Sequence, residues 1–194
     1  MSLFALYFTL GLEHIADLKG YDHILFILTL CVVYSLKEWK RVLVLVTAFT
    51  IGHSLTLALA TLDLLRVDGD LIEFLIPLTI FITALINLSG RSRNVSPLQH
   101  YLKYGAALFF GLIHGLGFSN YLRSLLGAER GLALPLFSFN VGIEVGQIII
   151  VCLIMLLTKL VVDLLGVNRR EWYVLLSGAG LGISLVLMME RFPF

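Results

Sequence analysis

Five histidines occur in this 194-residue chain, and four of them, His14, His23, His53 and His114, lie in or at the ends of long apolar runs. Two follow an acid directly, as Glu13-His14 and Asp22-His23. Imidazole nitrogen is a favoured ligand of zinc, copper, iron and nickel, whereas oxygen-only sets suit magnesium or calcium. A neighbouring carboxylate can ligate as well, or fix the imidazole tautomer from behind. Ionisable groups are expensive in apolar surroundings, so their presence there is read as functional. The candidate metal ligands are therefore His14, Asp22, His23, His53, His114 and Glu144, with Glu13, Asn140 and Gln147 as supporting groups. Adjacent helical residues point about 100° apart, so one member of each acid-histidine pair is expected to face away. A metal-free proton relay and a purely structural polar network remain open alternatives. His100, after Arg91, Arg93, Asn94 and Pro97, reads as solvated.

The rest of the chain is made of lipid-grade sequence. It is 59% hydrophobic and 14% charged, with a mean hydropathy of +0.96. Soluble domains carry about 25% charged residues, so an integral membrane protein is expected. A net charge of +1 leaves no basic surface for nucleic acid. Cys31 and Cys152 lie inside apolar runs and read as buried thiols, not a disulfide framework. The opening Met1-Ser2-Leu3-Phe4 lacks a basic region, and the first run is read as retained.

Seven runs approach the roughly 20 apolar residues that cross a bilayer: about 2–17, 21–37, 41–64, 71–89, 101–126, 132–163 and 172–191. The first two are short and closely joined, so a helical hairpin or a partly re-entrant element is possible there. Period-2 alternation is absent, which argues against a membrane barrel. The expected architecture is all-α, a single polytopic helix bundle over residues 1–194 with about seven transmembrane helices, the first two short. Lys37, Lys40, Arg41, Arg91, Arg93, Lys103, Lys159, Arg169 and Arg170 gather on one side, against Lys19, Arg66, Arg123, Arg130 and Arg191 on the other. Basic residues mark the cytoplasmic side. Seven crossings then put the N-terminus inside and the C-terminus outside.

Depth brings the polar groups together. His53 lies twelve residues beyond Arg41, roughly 18 Å up the third run, and His114 stands at a similar height in the fifth. Glu13, His14, Asp22, His23, Asn140, Glu144 and Gln147 fall in the same outer half. Asn140, Glu144 and Gln147 form one stripe on the sixth run, and Thr50, His53 and Ser54 share a face of the third. Polar stripes cannot face lipid, so they are expected to face one another. Gly111-xxx-Gly115, Gly142-xxx-Gly146 and Gly178-xxx-Gly182 supply small faces for close helix approach. The first two enclose His114 and Glu144, and close contact there would bring those two side chains together. Asp63, Asp68, Asp70 and Glu73 form an acidic loop at the outer mouth.

Four motifs in order carry a family resemblance. Gly11-Leu12-Glu13-His14-Ile15 with Gly20-Tyr21-Asp22-His23-Ile24-Leu25-Phe26 comes first, then Thr47-Ala48-Phe49-Thr50-Ile51-Gly52-His53-Ser54-Leu55-Thr56-Leu57. Phe110-Gly111-Leu112-Ile113-His114-Gly115-Leu116-Gly117-Phe118 and Phe139-Asn140-Val141-Gly142-Ile143-Glu144-Val145-Gly146-Gln147 follow. Together they resemble the HupE/UreJ family of bacterial membrane proteins over most of the chain to about residue 160. The resemblance implies a nickel or cobalt permease of the bacterial inner membrane, associated with hydrogenase or urease systems and hence with metalloenzyme maturation proteins.

Two further readings compete with a permease. An intramembrane zinc hydrolase would hold zinc on the four histidines, with Glu13, Asp22 or Glu144 as general base and Ser54 as polar support, and cleave a lipid or peptide-like substrate at the outer face. A metal-sensing or assembly partner is the third. The metal is accordingly nickel, cobalt or zinc, and the lipid bilayer is the other partner. The inner half of the bundle holds few polar groups, chiefly Asn87 and Lys159.

Overall fold

A computed structural model describes residues 2–90, 97–126 and 131–193 of the chain. Eight α-helices account for most of them: α1 (Leu3–Ile15), α2 (Asp22–Cys31), α3 (Trp39–Thr61), α4 (Gly69–Ser89), α5 (Pro97–Gly117), α6 (Ser119–Leu126), α7 (Ala133–Lys159) and α8 (Arg169–Glu190). No strand occurs among the described residues, so the all-α expectation holds. The segments Leu36–Thr61, Gly69–Ser89, Ala133–Leu164 and Arg169–Glu190 are long and apolar enough to cross a membrane, while α1 and α2 are shorter apolar helices. The fifth run does not form one helix: it breaks at Phe118 into α5 and the short α6.

Local chemistry sets the helix ends. Side-chain oxygens of Ser2, Asp68 and Asn168 accept the first-turn amides of Ala5, Leu71 and Arg170, capping α1, α4 and α8. Ser35 and Glu38 form a capping box ahead of α3. Trp172 Nε1 donates to Thr158 Oγ1 at 3.1 Å and Arg169 donates to the Val33 carbonyl, tying the ends of α2, α7 and α8 together. At the other end Asp63 accepts from Arg66 and Arg123, and Arg123 also bonds the Ala60 carbonyl, fastening α6 to the end of α3. The hydrogen bond from Arg66, with Arg123 beside it, holds the Asp63 carboxyl below its usual range. Two members of the acidic loop are thus committed, Asp63 to arginines and Asp68 to the α4 cap.

Glycine governs the packing. α3 against α5 and α1 against α7 are the two broadest helix interfaces, followed by α4 against α8. A Cβ on Gly52 would run into the Leu108 carbonyl, and one on Gly111 into the Phe49 carbonyl. Gly11 lies likewise on the Phe139 carbonyl and Gly142 on that of Phe8. Thr56 Oγ1 reaches across the first of these crossings to the Leu112 carbonyl at 2.7 Å. The third glycine motif behaves otherwise: nothing lies near Gly178 or Gly182, and Gly180 between them packs on Thr29 instead. Gly111→Leu should therefore destabilise the detergent-solubilised protein by at least about 1–3 kcal/mol through overpacking. Gly182→Leu should stay within about 0.5 kcal/mol. Thermal unfolding of both variants beside wild type makes the comparison.

Candidate metal centre

Four helices deliver one imidazole each to a common point. His14 stands in the last turn of α1, His23 in the first turn of α2, His53 in the middle of α3 and His114 near the end of α5. Ring centroids are 4.6 Å apart for His14 and His23, 5.8 Å for His53 from each of those two, and 5.1 Å for His23 and His114. Ligand nitrogens of His14, His23 and His53 all lie within 4.8 Å of one another. His53 and His114 are fully buried, and His23 nearly so.

The walls are aromatic. Phe118 and Phe139 stack at 5.2 Å against His14, whose ring lies 3.9 Å from Phe118 and 5.7 Å from Phe139. On the far side Phe26 and Phe49 each stand 5.1 Å from His114, and Phe110 packs on Phe26. In such a medium an unpartnered polar atom costs about 1–3 kcal/mol. Yet His14 Nε2, His23 Nε2, both nitrogens of His53 and His114 Nδ1 have no hydrogen-bond partner among the described residues. A soft-to-borderline divalent cation would satisfy several of these lone pairs at once, and the donor set fits one.

Thr79 Oγ1 contacts both the Ile76 carbonyl at 2.7 Å and His114 Nε2 at 3.0 Å. With its one proton on the carbonyl it accepts from Nε2–H, the tautomer that leaves a lone pair on the unpartnered Nδ1. Thr79 acts on His114 as an orienting group acts on a metal-bound histidine.

The acids stand elsewhere. Glu13 is exposed while His14 turns inward, as helical spacing requires. Asp22 is buried, but its Oδ2 accepts from Arg191 at 3.1 Å, and its Oδ1 has no described partner. Glu144 accepts from Thr47 at 2.7 Å and Gln147 from Thr50 at 2.6 Å, about two turns and one turn along α3 from His53 respectively. Asn140 Nδ2 donates to the Leu136 carbonyl at 2.9 Å, within its own helix. The α7 stripe thus faces α3, as its spacing indicates, but as an oxygen-rich layer beside the imidazoles. His114 and Glu144 are not drawn together by their glycine motifs, because α5 packs on α3 and α7 on α1. Ser54 is half-buried next to His53, and His100 lies half-buried in the first turn of α5, 6.4 Å from Tyr104.

The family model described as HupE / UreJ protein matches residues 1–191. The chain belongs to the HupE/UreJ family. No curated protein and no solved structure matches it. The family is associated with nickel and cobalt transport or accessory functions, and it gives zinc no support.

Sequence reasoning missed Thr79 and Arg191 in this HupE/UreJ chain. Each is joined to its histidine or aspartate only through tertiary packing, and neither adjoins a motif. For Thr79 the consequence is testable: Thr79→Val should weaken nickel binding by about 10-fold or more, as loss of an orienting partner does. Calorimetry on the folded, detergent-solubilised protein would read it, and unchanged affinity would remove Thr79 from the site.

Proposed function

We propose that the chain is a nickel/cobalt-type permease whose ion-binding site is the cluster of His14, His23, His53 and His114 in the outer half of the bilayer. The observation that carries this reading is the convergence of ligand nitrogens of His14, His23 and His53 from α1, α2 and α3 within 4.8 Å, with His114 of α5 5.1 Å from the His23 ring and its Nδ1 unpartnered, in a family associated with nickel and cobalt. Glu73 of the acidic loop collects cations at the mouth, and Glu13 stands beside the cluster at the end of α1. The ion sheds water at the imidazoles, and Asp22 supplies a carboxylate beside them when it leaves Arg191. Glu144, with Thr47 and with Gln147 and Thr50 beside it, offers oxygen ligands one step further on, and Asn140 borders that layer. The membrane is the bacterial cytoplasmic membrane, with the basic loops inside. The delivered ion serves metalloenzyme maturation proteins there.

The hydrolase reading has less to stand on. Among the described residues the set with ligand atoms within 4.8 Å of one another contains imidazoles alone. A base for metal-bound water would have to be Asp22, which is held by Arg191, or Glu144, which is held by Thr47. Expression in cells should give nickel or cobalt accumulation that falls by about 10-fold or more in His23→Ala, His53→Ala and His114→Ala, the size of loss seen even for supporting groups of metal sites. Mass spectrometry of the purified protein should find metal in wild type and little in the same variants. Undiminished accumulation in His53→Ala would refute the site.

A further inference from the structure

The directions of the helices follow from their end contacts. Phe74 of α4 meets Phe192 just beyond α8, and Asn87 near the other end of α4 bonds Ser177 in the first half of α8, so these two helices run antiparallel. Asn87 also donates to the Thr29 carbonyl, while Thr79 bonds His114 next to His23, so α2 runs parallel to α4. Thr158 late in α7 meets Trp172 early in α8, which makes α7 parallel to α4 as well. The ends of α3 and α5, at Ala60 and Gly117, meet the start of α4 at Gly69, and the start of α5, at Lys103, meets the end of α4 at Asn87, so α3 and α5 run against α4. There remains α1. Its contacts with α7 advance together: Gly142 lies on Phe8 and Leu12, and Gly146 on Leu12 and Ile15. α1 therefore runs the same way as α7, and the same way as α2. His14 ends the one and His23 begins the other, with ring centroids 4.6 Å apart. With 13 and 10 residues, α1 and α2 are about 20 and 15 Å long, together one bilayer crossing.

The second half of the chain repeats this plan upside down. Gly11 lies on Phe139 and Ile143 and Gly142 on Phe8 and Leu12; Gly111 lies on Phe49 and His53 and Gly52 on Leu108 and Leu112. These are the same contacts at the same spacings, with α5 in the place of α1 and α7 in the place of α3. The sequences agree: Gly11-Leu12-Glu13-His14 matches Gly111-Leu112-Ile113-His114, and Phe49-Thr50-Ile51-Gly52 matches Phe139-Asn140-Val141-Gly142. α2 and α6 are both short, and they pack on α7 and α3 respectively. α4 and α8 pack on each other. Every matched helix pair whose direction is established here (α1 and α5, α3 and α7, α4 and α8) points opposite ways.

We propose that the chain is an inverted repeat of two four-helix halves, residues 3–89 and 97–190, and that the imidazole cluster between them is opened alternately to the two membrane faces. The proposal rests on the permease reading for its substrate. Transporters built from inverted repeats carry their substrate site at the repeat interface beside interrupted helices, and rock one half against the other. Two cavities fit the two openings. An outer one of about 380 Å³ is lined by Arg66, Glu73, Ser119, Asn120 and Arg123. An inner one of about 50 Å³ is lined by Tyr34, Thr83, Asn87, Lys103, Ala106 and Phe110. Phe26, Phe49 and Phe110 stand between the inner cavity and His114. The imidazoles lie buried between the two cavities, and neither cavity is lined by a cluster histidine. Pairing α1 with α2 also gives six crossings, and it moves the N-terminus from the inside, where seven would put it, to the face that holds the C-terminus.

The test uses full-length protein with Cys31→Ser and Cys152→Ser and one new cysteine, Asn120→Cys or Ala106→Cys, in vesicles labelled with a maleimide. Nickel should slow labelling of Asn120→Cys severalfold and quicken that of Ala106→Cys, in variants that still accumulate nickel. Labels that both fall, or both stay unchanged, while accumulation persists would overturn alternate opening and leave the permease reading standing. Tags fused at the two termini, probed in intact cells, should lie on the same face; tags on opposite faces would overturn the repeat. The tag result holds whether or not the wild type accumulates metal, so a failed permease reading is told apart from a failed repeat.

Discussion

Backbone contact at four glycines is the constraint on which the rest of this structure depends. Lipid offers helices no hydrophobic reason to associate, so they are held by close packing and interhelical hydrogen bonds. Gly52 and Gly111 bring α3 and α5 into backbone contact, and Gly11 and Gly142 do the same for α1 and α7. The histidines sit beside these points: His53 follows Gly52, and His14 and His114 lie one turn beyond Gly11 and Gly111. The contact that fixes each helix pair also fixes the height at which its imidazole enters the cluster. A larger residue at any of the four would shift the ligands as well as the packing.

The cluster is costly to the fold that carries it. Five imidazole nitrogens lie buried without described partners, in walls made of Phe26, Phe49, Phe118 and Phe139. A bundle selected for stability alone would place apolar side chains there, since replacing buried polar groups by apolar ones of similar shape is often neutral or stabilising. Strain of this kind persists where function requires it. The surrounding bonds have a different character. Thr79 with His114, Thr47 with Glu144, Thr50 with Gln147 and Arg191 with Asp22 each satisfy one side of a polar group and leave another unpartnered.

Much of this was legible in the sequence, for definite reasons. Long apolar runs can only be helices in lipid, because each must satisfy its own backbone. Counting residues along them put His53 and His114 at one height without any structure. Helical spacing foresaw that one member of the Glu13-His14 pair would turn away, though Asp22 and His23 are both buried, and that Asn140, Glu144 and Gln147 would share a face. Other features depend on what lies across space. Gly178 and Gly182 look like Gly111 and Gly115 in the sequence, and only the position of α8 leaves them facing nothing. The break at Phe118 coincides with the polar residues Ser119 and Asn120, which the apolar run read to residue 126 had absorbed. The direction of α1 was hidden too, since an apolar run reads the same in either direction and only Gly146 on Ile15 shows which way it travels.

The separation of acids from imidazoles bears on how an ion could pass through. A site holding carboxylates and imidazoles together would bind a divalent cation tightly, and a tight site delays release. Here the donors are set apart: a nitrogen cluster with a guanidinium-held carboxylate at its edge, and beyond it the oxygen layer of Thr47, Thr50, Glu144 and Gln147. Nitrogen ligands favour nickel or cobalt over magnesium and calcium at the point of entry. Arg191 pairs with Asp22, and a cation would have to displace it before that carboxylate could ligate. Graded affinity of this kind suits a carrier. A catalytic metal must instead stay bound through every turnover, and a carboxylate that alternates between the ion and Arg191 would work against that.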